Sequence, residues 1–329
     1  MNVALTTRIL PAGEGAMAAA ALALAAGGLV AFPTETVYGL GADATNAHAI
    51  ALLYQAKGRP AFNPLISHVA DLEAAREIGH FDETALALAH AFWPGPLTLV
   101  LPRTRDCAVA ELATAGLDTI AIRIPSHRTA RAILSAFGKP VVAPSGNLSG
   151  HVSPTTAAHV RADLDGRIDL IVDDGPVQVG VESTILGCFE TPMLLRPGGL
   201  PREKIERMLG RALIQAPADA ESDSGQPLAP GMLASHYAPR TRVRLHATSV
   251  APAEALLAFG PEIAGAQAAA AVMNLSAQGD LKEAAANLFG YLRALDEKRA
   301  QTIAVMPIPN HGLGEAINDR LRRAAVGRE

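Results

Sequence analysis

The chain has 329 residues, of which 49% are hydrophobic and 18% are charged, and its formal net charge is −4. This composition excludes an intrinsically disordered chain, and the net negative charge provides no general attraction to the phosphate backbone of a nucleic acid. The length is typical of two globular domains.

The cysteine content indicates a reducing cytoplasm. Cys107 and Cys188 stand far apart and form no CxxC pair, so the sequence predicts neither a disulfide framework nor a cysteine zinc site. The alanine-rich run over 17–32 resembles the apolar core of a signal peptide. A packed helix that ends at Gly27-Gly28 is the favoured interpretation, because glycine accepts the left-handed conformation of a helix C-terminal cap. No stretch reaches the roughly 20 strongly apolar residues that a membrane-spanning helix needs.

Short β-rich runs alternate with helical patterns over the first two hundred residues, which is typical of an α/β or α+β sheet covered by helices. The predicted strands lie at 29–32, 65–69, 97–101, 119–124, 140–143, 168–172, 183–188 and 193–196. The predicted helices lie at 14–26, 46–57, 71–78, 83–92, 126–137, 155–163 and 201–209.

This pattern dissolves over 211–240 into a segment rich in Pro, Ala, Ser and Asp, which is too long for a simple turn. Beyond it, RVRLHA, AAAAVMNLSA and TIAVMPIP are interpreted as strands, with helices predicted near 251–258, 280–296 and 313–325. The sequence therefore predicts a first domain over 1–210, a linker over 211–240 and a small α/β domain over 241–329.

A cluster of hydroxyl groups follows the first predicted strand. The segment PTETVYGLG, residues 33–41, is interpreted as a turn that Gly39 and Gly41 close. The hydroxyls either hold this turn together or grip a small polar ligand, since the strand ends of an open α/β sheet are common ligand sites.

Two cations flank a glycine in QAKGRPAFNPLISHV, residues 55–69. Lys57 with the glycine and proline that follow it makes an ordinary helix end, which by itself is weak support for a site. Arg59 adds a second cation, and the two could approach a polyphosphate closely. Asn63 and His68 follow in the same segment, although an isolated histidine is more often structural.

The strand predicted at 140–143 runs into a Pro-Ser-Gly-Asn turn. This turn would point the Ser145 hydroxyl, the Asn147 amide and free backbone N–H groups outward, as in an anion-binding nest, although a plain turn is the alternative. No glycine stands two residues before Ser145, which excludes a nucleophile elbow. Ser183 at the start of a strand in GVESTIL and Arg196 at the end of one in LLRPGG are further candidates.

Several familiar motifs are missing from the sequence. It contains no GxxxxGK[ST] loop, no GxGxxG that opens a helix, no HExxH and no histidine pair with zinc-ligand spacing. The candidate residues are therefore cations and hydroxyls without an evident general base, nucleophile or metal cage. Such a site favours reactions that depend on positioning and charge neutralisation, as in phosphoryl and nucleotidyl transfer.

The motifs FPTETVYGLG, QAKGRPAFNPL, WPGPLTLVL, GLDTIAIRIP, APSGNLSG, GVESTIL and LLRPGG, in this order, resemble the YrdC-like family. LAPGMLASHYAPRT and the α/β unit after it resemble the two-domain members of that family. The resemblance implies an α/β (α+β) fold, in which helices surround a YrdC-like twisted sheet with a concave cationic site. A linker and a small Rossmann-like α/β domain without a glycine fingerprint would follow.

Members of the family condense L-threonine, bicarbonate and ATP to L-threonylcarbamoyladenylate and pyrophosphate, the first step of a threonylcarbamoyladenosine modification of tRNA. The resemblance thus implies a nucleotidyltransferase whose basic and polar catalytic tetrad is Lys57, Arg59, Ser145 and Asn147. The implied ATP site contains these four residues together with Asn63, Thr119, Ser153, Arg196, His236 and Tyr237. The implied L-threonine site contains Thr34, His68, Arg123 and Ser183. Magnesium is expected on the ATP phosphates, with no metal held by protein side chains alone.

The resemblance also implies that His236 and Tyr237 cover the phosphates as a lid. Many relatives have Ala where Gly146 stands, and glycine should loosen the turn while preserving its outward side chains. The implied partners are the three substrates and, transiently, the downstream tRNA threonylcarbamoyl transferase machinery, with no membrane and no stable nucleic-acid complex. The alternatives are a non-catalytic RNA-binding module, which the acidic balance disfavours, and a carbamoyl-transfer domain that uses carbamoyl phosphate.

Overall fold

A computed structural model describes residues 5–216, 237–261 and 263–326 and contains two β-sheets. The larger is an 11-stranded mixed sheet in the order β1-β8-β2-β3-β7-β4-β6-β5-β9-β10-β11. Its strands are β1 (Arg8–Pro11), β2 (Val30–Pro33), β3 (Tyr38–Asp43), β4 (Ile66–His68), β5 (Leu97–Pro102), β6 (Thr119–Arg123), β7 (Val141–Val142), β8 (Leu170–Asp173), β9 (Thr184–Gly187), β10 (Met193–Arg196) and β11 (Ile214–Gln215).

Helices pack against this sheet. They are α1 (Glu14–Ala25), α2 (Ala47–Lys57), α3 (Leu72–Ile78), α4 (Glu83–Phe92), α5 (Glu111–Thr114), α6 (Arg128–Phe137), α7 (Ala157–Leu164) and α8 (Arg202–Leu209). Each helix predicted before residue 210 forms, with ends within a residue or two of the expected positions. The short β1, β11 and α5 were not predicted. The proposed boundary at residue 210 remains a prediction, and β11 extends the first sheet slightly beyond it.

The last part of the chain builds a 4-stranded parallel sheet in the order β12-β15-β13-β14. Its elements are β12 (Arg242–Arg244), β13 (Glu254–Ala258), β14 (Ala271–Asn274), α9 (Leu281–Glu297), β15 (Thr302–Val305) and α10 (Leu313–Ala325). The predictions of α9 and α10 are confirmed. The helix predicted at 251–258 is wrong, because EALLA forms β13 in the interior of this sheet. Burial between two neighbouring strands outweighs the helix propensity of alanine and leucine there.

The turn interpretation of 33–41 is correct only for its first part. Residues Tyr38–Asp43 form β3, which is buried along its whole length and pairs antiparallel with β2. Gly41 lies within this strand, and a Cβ atom there would lie only 2.7 Å from Cε1 of Phe32. Glycine in this strand therefore serves close packing rather than a turn.

The alanine-rich run over 17–32 contributes to α1 and β2, as the packed-helix interpretation predicts. One face of α1 carries Ala16, Ala20 and Leu24, which are buried in a cluster with residues of β2, β8 and α6. Within the described ranges, no helix combines the length and the apolar character needed to cross a bilayer.

The hydrophobic core of the second sheet is not confined to the last part of the chain. The cluster around Leu288 of α9 and Ile303 of β15 also contains Val37, Val152 and Val181. These three valines come from separate loops of the first sheet, so a continuous apolar core joins the two parts.

Candidate active site

A cavity of about 50 Å³ lies along the parallel strands β4 and β6, with His68 and Arg123 at their carboxyl ends and Leu65 just before β4. Its lining residues are Thr36, Val37, Arg59, Leu65, Ile66, His68, Arg123, Ala143, Pro144, Ser145, Glu182, Ser183, Arg196 and Tyr237. Three arginines and one glutamate line the cavity, which gives its wall a net positive charge suited to an anion. The structure therefore brings together residues from most of the motifs that the sequence singled out.

Arg59 reaches the cavity because α2 ends immediately before it. Asn46 begins the helix by accepting hydrogen bonds from the backbone N–H groups of His48 and Ala49, and Gly58 ends it with a left-handed φ of 59°. Arg59 Nη2 then donates to the carbonyl oxygen of Pro64 at 3.1 Å. Burial, aided by the charge of Arg196, lowers the pKa of Arg59 to about 10, so the guanidinium stays charged at neutral pH.

Lys57 lies beneath the Pro-Ser-Gly-Asn turn and does not line the cavity. Its side chain is only 2% exposed, and Nζ donates to the carbonyl oxygens of Ser145 and Asn147 at 2.5 Å each. Burial holds the pKa of Lys57 well below its ordinary value. Through its two hydrogen bonds Lys57 Nζ holds the turn from within, and Ser145 is the turn's polar side chain at the cavity.

Asn147 also serves the turn. Its Nδ2 donates to the carbonyl oxygens of Leu148 at 2.7 Å and His151 at 2.9 Å. The expected tetrad is therefore gathered in one place, with two members at the cavity and two directly behind it.

Arg123, at the end of β6, forms an ion pair that the sequence analysis missed. Its Nη2 lies 2.7 Å from Oε1 of Glu35, and the two side chains are 5% and 6% exposed. Its Nε donates to the carbonyl oxygen of Gly95 at 3.3 Å. The glutamate in the hydroxyl-rich PTET segment was the available signal for a charged partner, but nothing local identified Arg123 as that partner.

His68 and Ser183 lie on the same side of the cavity. His68 Nδ1 is 3.1 Å from the carbonyl oxygen of Ile66, an acceptor, so Nδ1 carries the proton. Burial, followed by the charge of Arg123, lowers the pKa of His68 to about 3, so the ring is neutral at pH 7. The hydroxyl of Ser183 lies 2.7 Å from that of Thr98 on β5.

Thr34, which the resemblance places in the L-threonine site, does not line the cavity. The Thr34 hydroxyl donates to the carbonyl oxygen of Val37 at 2.7 Å and lies 2.7 Å from the Thr36 hydroxyl, which closes the turn. Thr36, which was not predicted, lines the cavity. The structure confirms that Thr34 holds the turn together, and binding of a polar ligand by these hydroxyls remains a prediction.

Ser153 does not line the cavity but forms a hydrogen bond with Glu182, which does. Its hydroxyl donates to Oε1 of Glu182 at 2.5 Å, while Oε2 accepts from Nε of Arg320 at 2.8 Å. Burial alone would raise the pKa of Glu182, but Arg320 and Arg196 hold it at about 2. The sequence analysis missed Glu182 and Arg320, since 138 positions separate them in the chain.

Arg196 and Tyr237 form the wall nearest to the second sheet. Arg196 Nη2 donates to the carbonyl oxygen of Ser183 at 2.9 Å, and burial lowers the pKa of Arg196. The Tyr237 ring stacks on Phe289 of α9 at a centroid distance of 5.6 Å, with the Arg320 guanidinium 5.2 Å from its centroid. His236 lies outside the described residues.

Asn63 and Thr119 lie toward the opposite ends of β4 and β6 and do not line the cavity. Thr119 and Arg123 alternate onto the same face of β6, four residues and about 13 Å apart. Asn63 precedes β4, and its buried Oδ1 has no hydrogen-bond partner among the described residues. His68 and Arg123 therefore lie at the carboxyl ends of β4 and β6, whereas Asn63 precedes β4 and Thr119 begins β6.

A larger cleft, of about 730 Å³, lies elsewhere between the two parts of the chain and is lined by residues such as His151, Asp163, Arg240 and Arg293. Among the predicted site residues that the structure describes, none lines this cleft, so chemistry rather than size identifies the candidate site. In the part of the chain that the structure describes, no group of three or more His, Cys, Asp or Glu side chains could hold a metal ion.

Comparison with known proteins identifies the family of the chain. Residues 22–198 match the Sua5/YciO/YrdC family model, described as "Telomere recombination", and residues 200–326 match the model described as "Threonylcarbamoyl-AMP synthase, C-terminal domain". A threonylcarbamoyl-AMP synthase from Bacillus subtilis is 43% identical, with 95% of this chain and 93% of that protein covered. One from Pyrococcus abyssi is 42% identical, with 91% of each chain covered. The crystal structure of P. abyssi Sua5 complexed with L-threonine matches with a TM-score of 0.88 and 38% identity, covering 97% of this chain and 98% of that one.

Proposed function

The chain belongs to the Sua5/YciO/YrdC family of threonylcarbamoyl-AMP synthases, and from this premise we propose that it makes L-threonylcarbamoyladenylate from L-threonine, bicarbonate and ATP. The observation that carries the proposal is the cavity in which Arg59, Arg123 and Arg196 meet the hydroxyls of Ser145 and Ser183. A site of this kind neutralises phosphates and a carboxylate while it aligns two reactants.

The proposed reaction needs no enzyme nucleophile. The threonine amine takes up carbon dioxide, formed from bicarbonate, and releases a proton to give a carbamate. A carbamate oxygen then attacks the α-phosphorus of ATP in line, and the bond from that phosphorus to pyrophosphate breaks. The enzyme's part is nucleotidyl transfer by positioning, since Arg59 and Arg196 can stabilise charge that develops on the phosphates.

We assign the two substrates to the two ends of the sheet face. Arg123, His68 and Ser183 would hold L-threonine at the carboxyl ends of β4 and β6, with the substrate carboxylate on the guanidinium of Arg123. Thr36 replaces Thr34 in contact with this end of the cavity, and Thr34 would support it through the turn.

The triphosphate would lie on Arg59, Ser145 and Arg196, above the turn that Lys57 and Asn147 hold. The rest of the nucleotide would extend along the sheet face toward Asn63 and Thr119. A span of about 13 Å along β6 suits an elongated ligand of this kind. Ser153 would act through Glu182 rather than by touching ATP.

Magnesium would bind through the ATP phosphates. Among the described residues, Glu182 lines the cavity and Glu35 precedes the lining residue Thr36, and these carboxylates are already paired with Arg320 and Arg123. These residues therefore do not fit a metal cage of the protein's own.

ATP binding requires the cavity to open. A site for a ligand of drug size usually has a volume of about 300–1,000 Å³, and this cavity has about 50 Å³. Tyr237 forms its wall on the linker side, so we propose that Tyr237, with His236 before it, moves as a lid.

The proposal is tested by pyrophosphate release from the purified full chain. Release should require ATP, L-threonine and bicarbonate together, and each single omission should abolish it. Release that is independent of L-threonine would contradict the proposal, and release that needs carbamoyl phosphate would favour the carbamoyl-transfer alternative. L-Serine in place of L-threonine measures selectivity in the same assay.

The non-catalytic RNA-binding alternative is not favoured, because the relatives that match most of the chain are synthases. We propose that the protein acts in the cytoplasm and passes its labile product to the transferase machinery for tRNA. Salt-dependent gel shifts with tRNA would detect any direct complex.

A further inference from the structure

Helix α10 of the second part of the chain contacts the candidate site through the side chain of Arg320. Arg320 has no exposed surface, and its Nε donates to Oε2 of Glu182 at 2.8 Å. Its Nη1 donates to the carbonyl oxygen of Pro197 at 3.0 Å and to Oδ2 of Asp319 at 2.6 Å. Glu182 lines the cavity, and Pro197 directly follows Arg196, which also lines it.

The segment that carries Glu182 is also held by α9. Gly180 has a φ of +80°, and a Cβ atom there would lie 2.2 Å from the carbonyl oxygen of Ala285. The Gly180 N–H donates to the carbonyl oxygen of Thr36 at 3.1 Å, and Val181 is buried in the core of the second sheet. The segment is therefore clamped between the second sheet's helices and the turn that lines the cavity.

From these contacts we propose that Arg320 is a positioning residue for the reaction, which fixes Glu182 and the backbone at Pro197 so that Ser183 and Arg196 face the cavity. This inference rests on the proposed function of the cavity. It gives the second part of the chain a direct role in the site.

The charges around Glu182 explain why the contact matters. Arg320 of α10, Arg196 of β10 and the Ser153 hydroxyl face its carboxylate, and Asp319 competes for Arg320. The Tyr237 ring covers the other side of Arg320. Without Arg320, the buried carboxylate either takes up a proton or draws Arg196 away from Ser183, and both change the cavity wall.

The first test compares Arg320→Met with Arg322→Met, which changes an exposed arginine on the same helix. We expect kcat/KM for pyrophosphate release to fall roughly 10- to 100-fold in Arg320→Met, since small misplacements of site groups have effects of this size. The Arg322→Met control should keep the wild-type value. A wild-type kcat/KM in folded Arg320→Met overturns the proposal.

The pH profile separates positioning from a general loss of structure. In the wild type Glu182 is ionised at every working pH. In Arg320→Met its burial raises the pKa, so the rate should acquire a new dependence on pH between about 5 and 8. The double variant Glu182→Gln with Arg320→Met should lose this dependence and be no slower than the slower single variant. If the fold-losses in rate of the two single variants multiply in the double variant, Arg320 does not act through Glu182.

Arg320→Lys covers the case in which Arg320→Met fails to fold. It keeps the charge but loses the geometry that joins Glu182 and Pro197, so we expect a lower kcat with a flat pH profile. Full wild-type kcat in this variant overturns the proposal.

Hydrogen exchange distinguishes a failure of this inference from a failure of the proposed function. The backbone N–H of Gly199 donates to the carbonyl oxygen of Glu182 at 2.8 Å. The backbone N–H of Thr184 donates to the carbonyl oxygen of Pro96 at 3.0 Å. Both amides should exchange faster in Arg320→Met than in Arg322→Met, whether or not the wild type releases pyrophosphate. Unchanged amide exchange in Arg320→Met overturns the inference. Faster exchange together with a wild-type rate of pyrophosphate release also overturns it, because the contact of Arg320 would then be structural only.

Discussion

The carboxylate of Glu35 and the guanidinium of Arg123 lie side by side at the cavity, with 2.7 Å between Oε1 and Nη2. Arg123, proposed to bind the carboxylate of L-threonine, therefore has a carboxylate beside it in the substrate-free protein. Because a guanidinium presents donors on more than one edge, Glu35 can hold Arg123 in place while another edge receives the substrate.

Arg123→Ala should affect both stability and substrate binding. It leaves Glu35 as an unpaired buried carboxylate, which should lower the free energy of unfolding by about 3–5 kcal/mol. The KM for L-threonine should rise while the KM for ATP changes little, as measured by urea unfolding and pyrophosphate release. Arg128→Ala is the matched control, since Arg128 forms an exposed ion pair with Asp174, and both KM values should remain unchanged. A folded Arg123→Ala protein with the wild-type KM for L-threonine would refute the assignment.

Arg59→Ala should lower mainly the catalytic rate, whereas Lys57→Met should lower both the rate and the stability. Arg59 lines the cavity, so its loss should lower kcat/KM for ATP by about 10- to 150-fold, the equivalent of 1.5–3 kcal/mol, with little effect on unfolding. Lys57 holds two carbonyl oxygens of the turn, so Lys57→Met should lower the unfolding midpoint as well as the rate. Equal losses of stability in both variants would contradict this division of roles.

The buried His68 should make stability depend on pH. Its pKa is about 3 in the folded protein and near 6.5 in an unfolded chain. Between these values the unfolded chain binds a proton that the folded protein excludes, so the free energy of unfolding falls as the pH drops. His159, whose pKa is lowered to about 4, acts in the same direction.

His68→Gln should therefore reduce the stability lost between pH 7 and pH 5 by about 2 kcal/mol, as measured by urea midpoints across this range. His48→Gln, at an exposed position, provides the control and should leave the loss unchanged. An identical slope in wild type and His68→Gln would show that His68 binds a proton equally in both states.

Gly146→Ala should be accepted at the turn. A Cβ atom there would lie 3.4 Å from Cγ2 of Val160, an ordinary contact, and the substitution should raise the free energy of unfolding by about 0.4–1 kcal/mol. Pyrophosphate release should be retained. Gly180→Ala is the contrasting change and should destabilise the protein, because its Cβ atom would meet Ala285. Thermal unfolding of both variants checks the pair, and a destabilised Gly146→Ala protein would show that the turn needs glycine.

The sequence could predict those features that neighbouring residues produce together. Asn46 and Gly58 mark the two ends of α2, and the position of Arg59 follows from them. The resemblance of the motifs to one family, rather than any local rule, indicated that the segments of Arg59, Ser145 and Arg196 meet, as they do at the cavity. The pairing of Glu182 with Arg320 could not be predicted, since it depends on how two distant parts of the chain pack. For the same reason EALLA was assigned to a helix, although its position inside the second sheet makes it β13.

The burial of Val37, Val152 and Val181 against the second sheet bears on the solubility of truncated forms of the protein. A shortened product without this sheet would expose three apolar side chains from neighbouring loops, and such patches promote aggregation. Poor solubility of that fragment would then explain its inactivity without any reference to catalysis. A smaller stand-alone version would first need polar residues at these three positions.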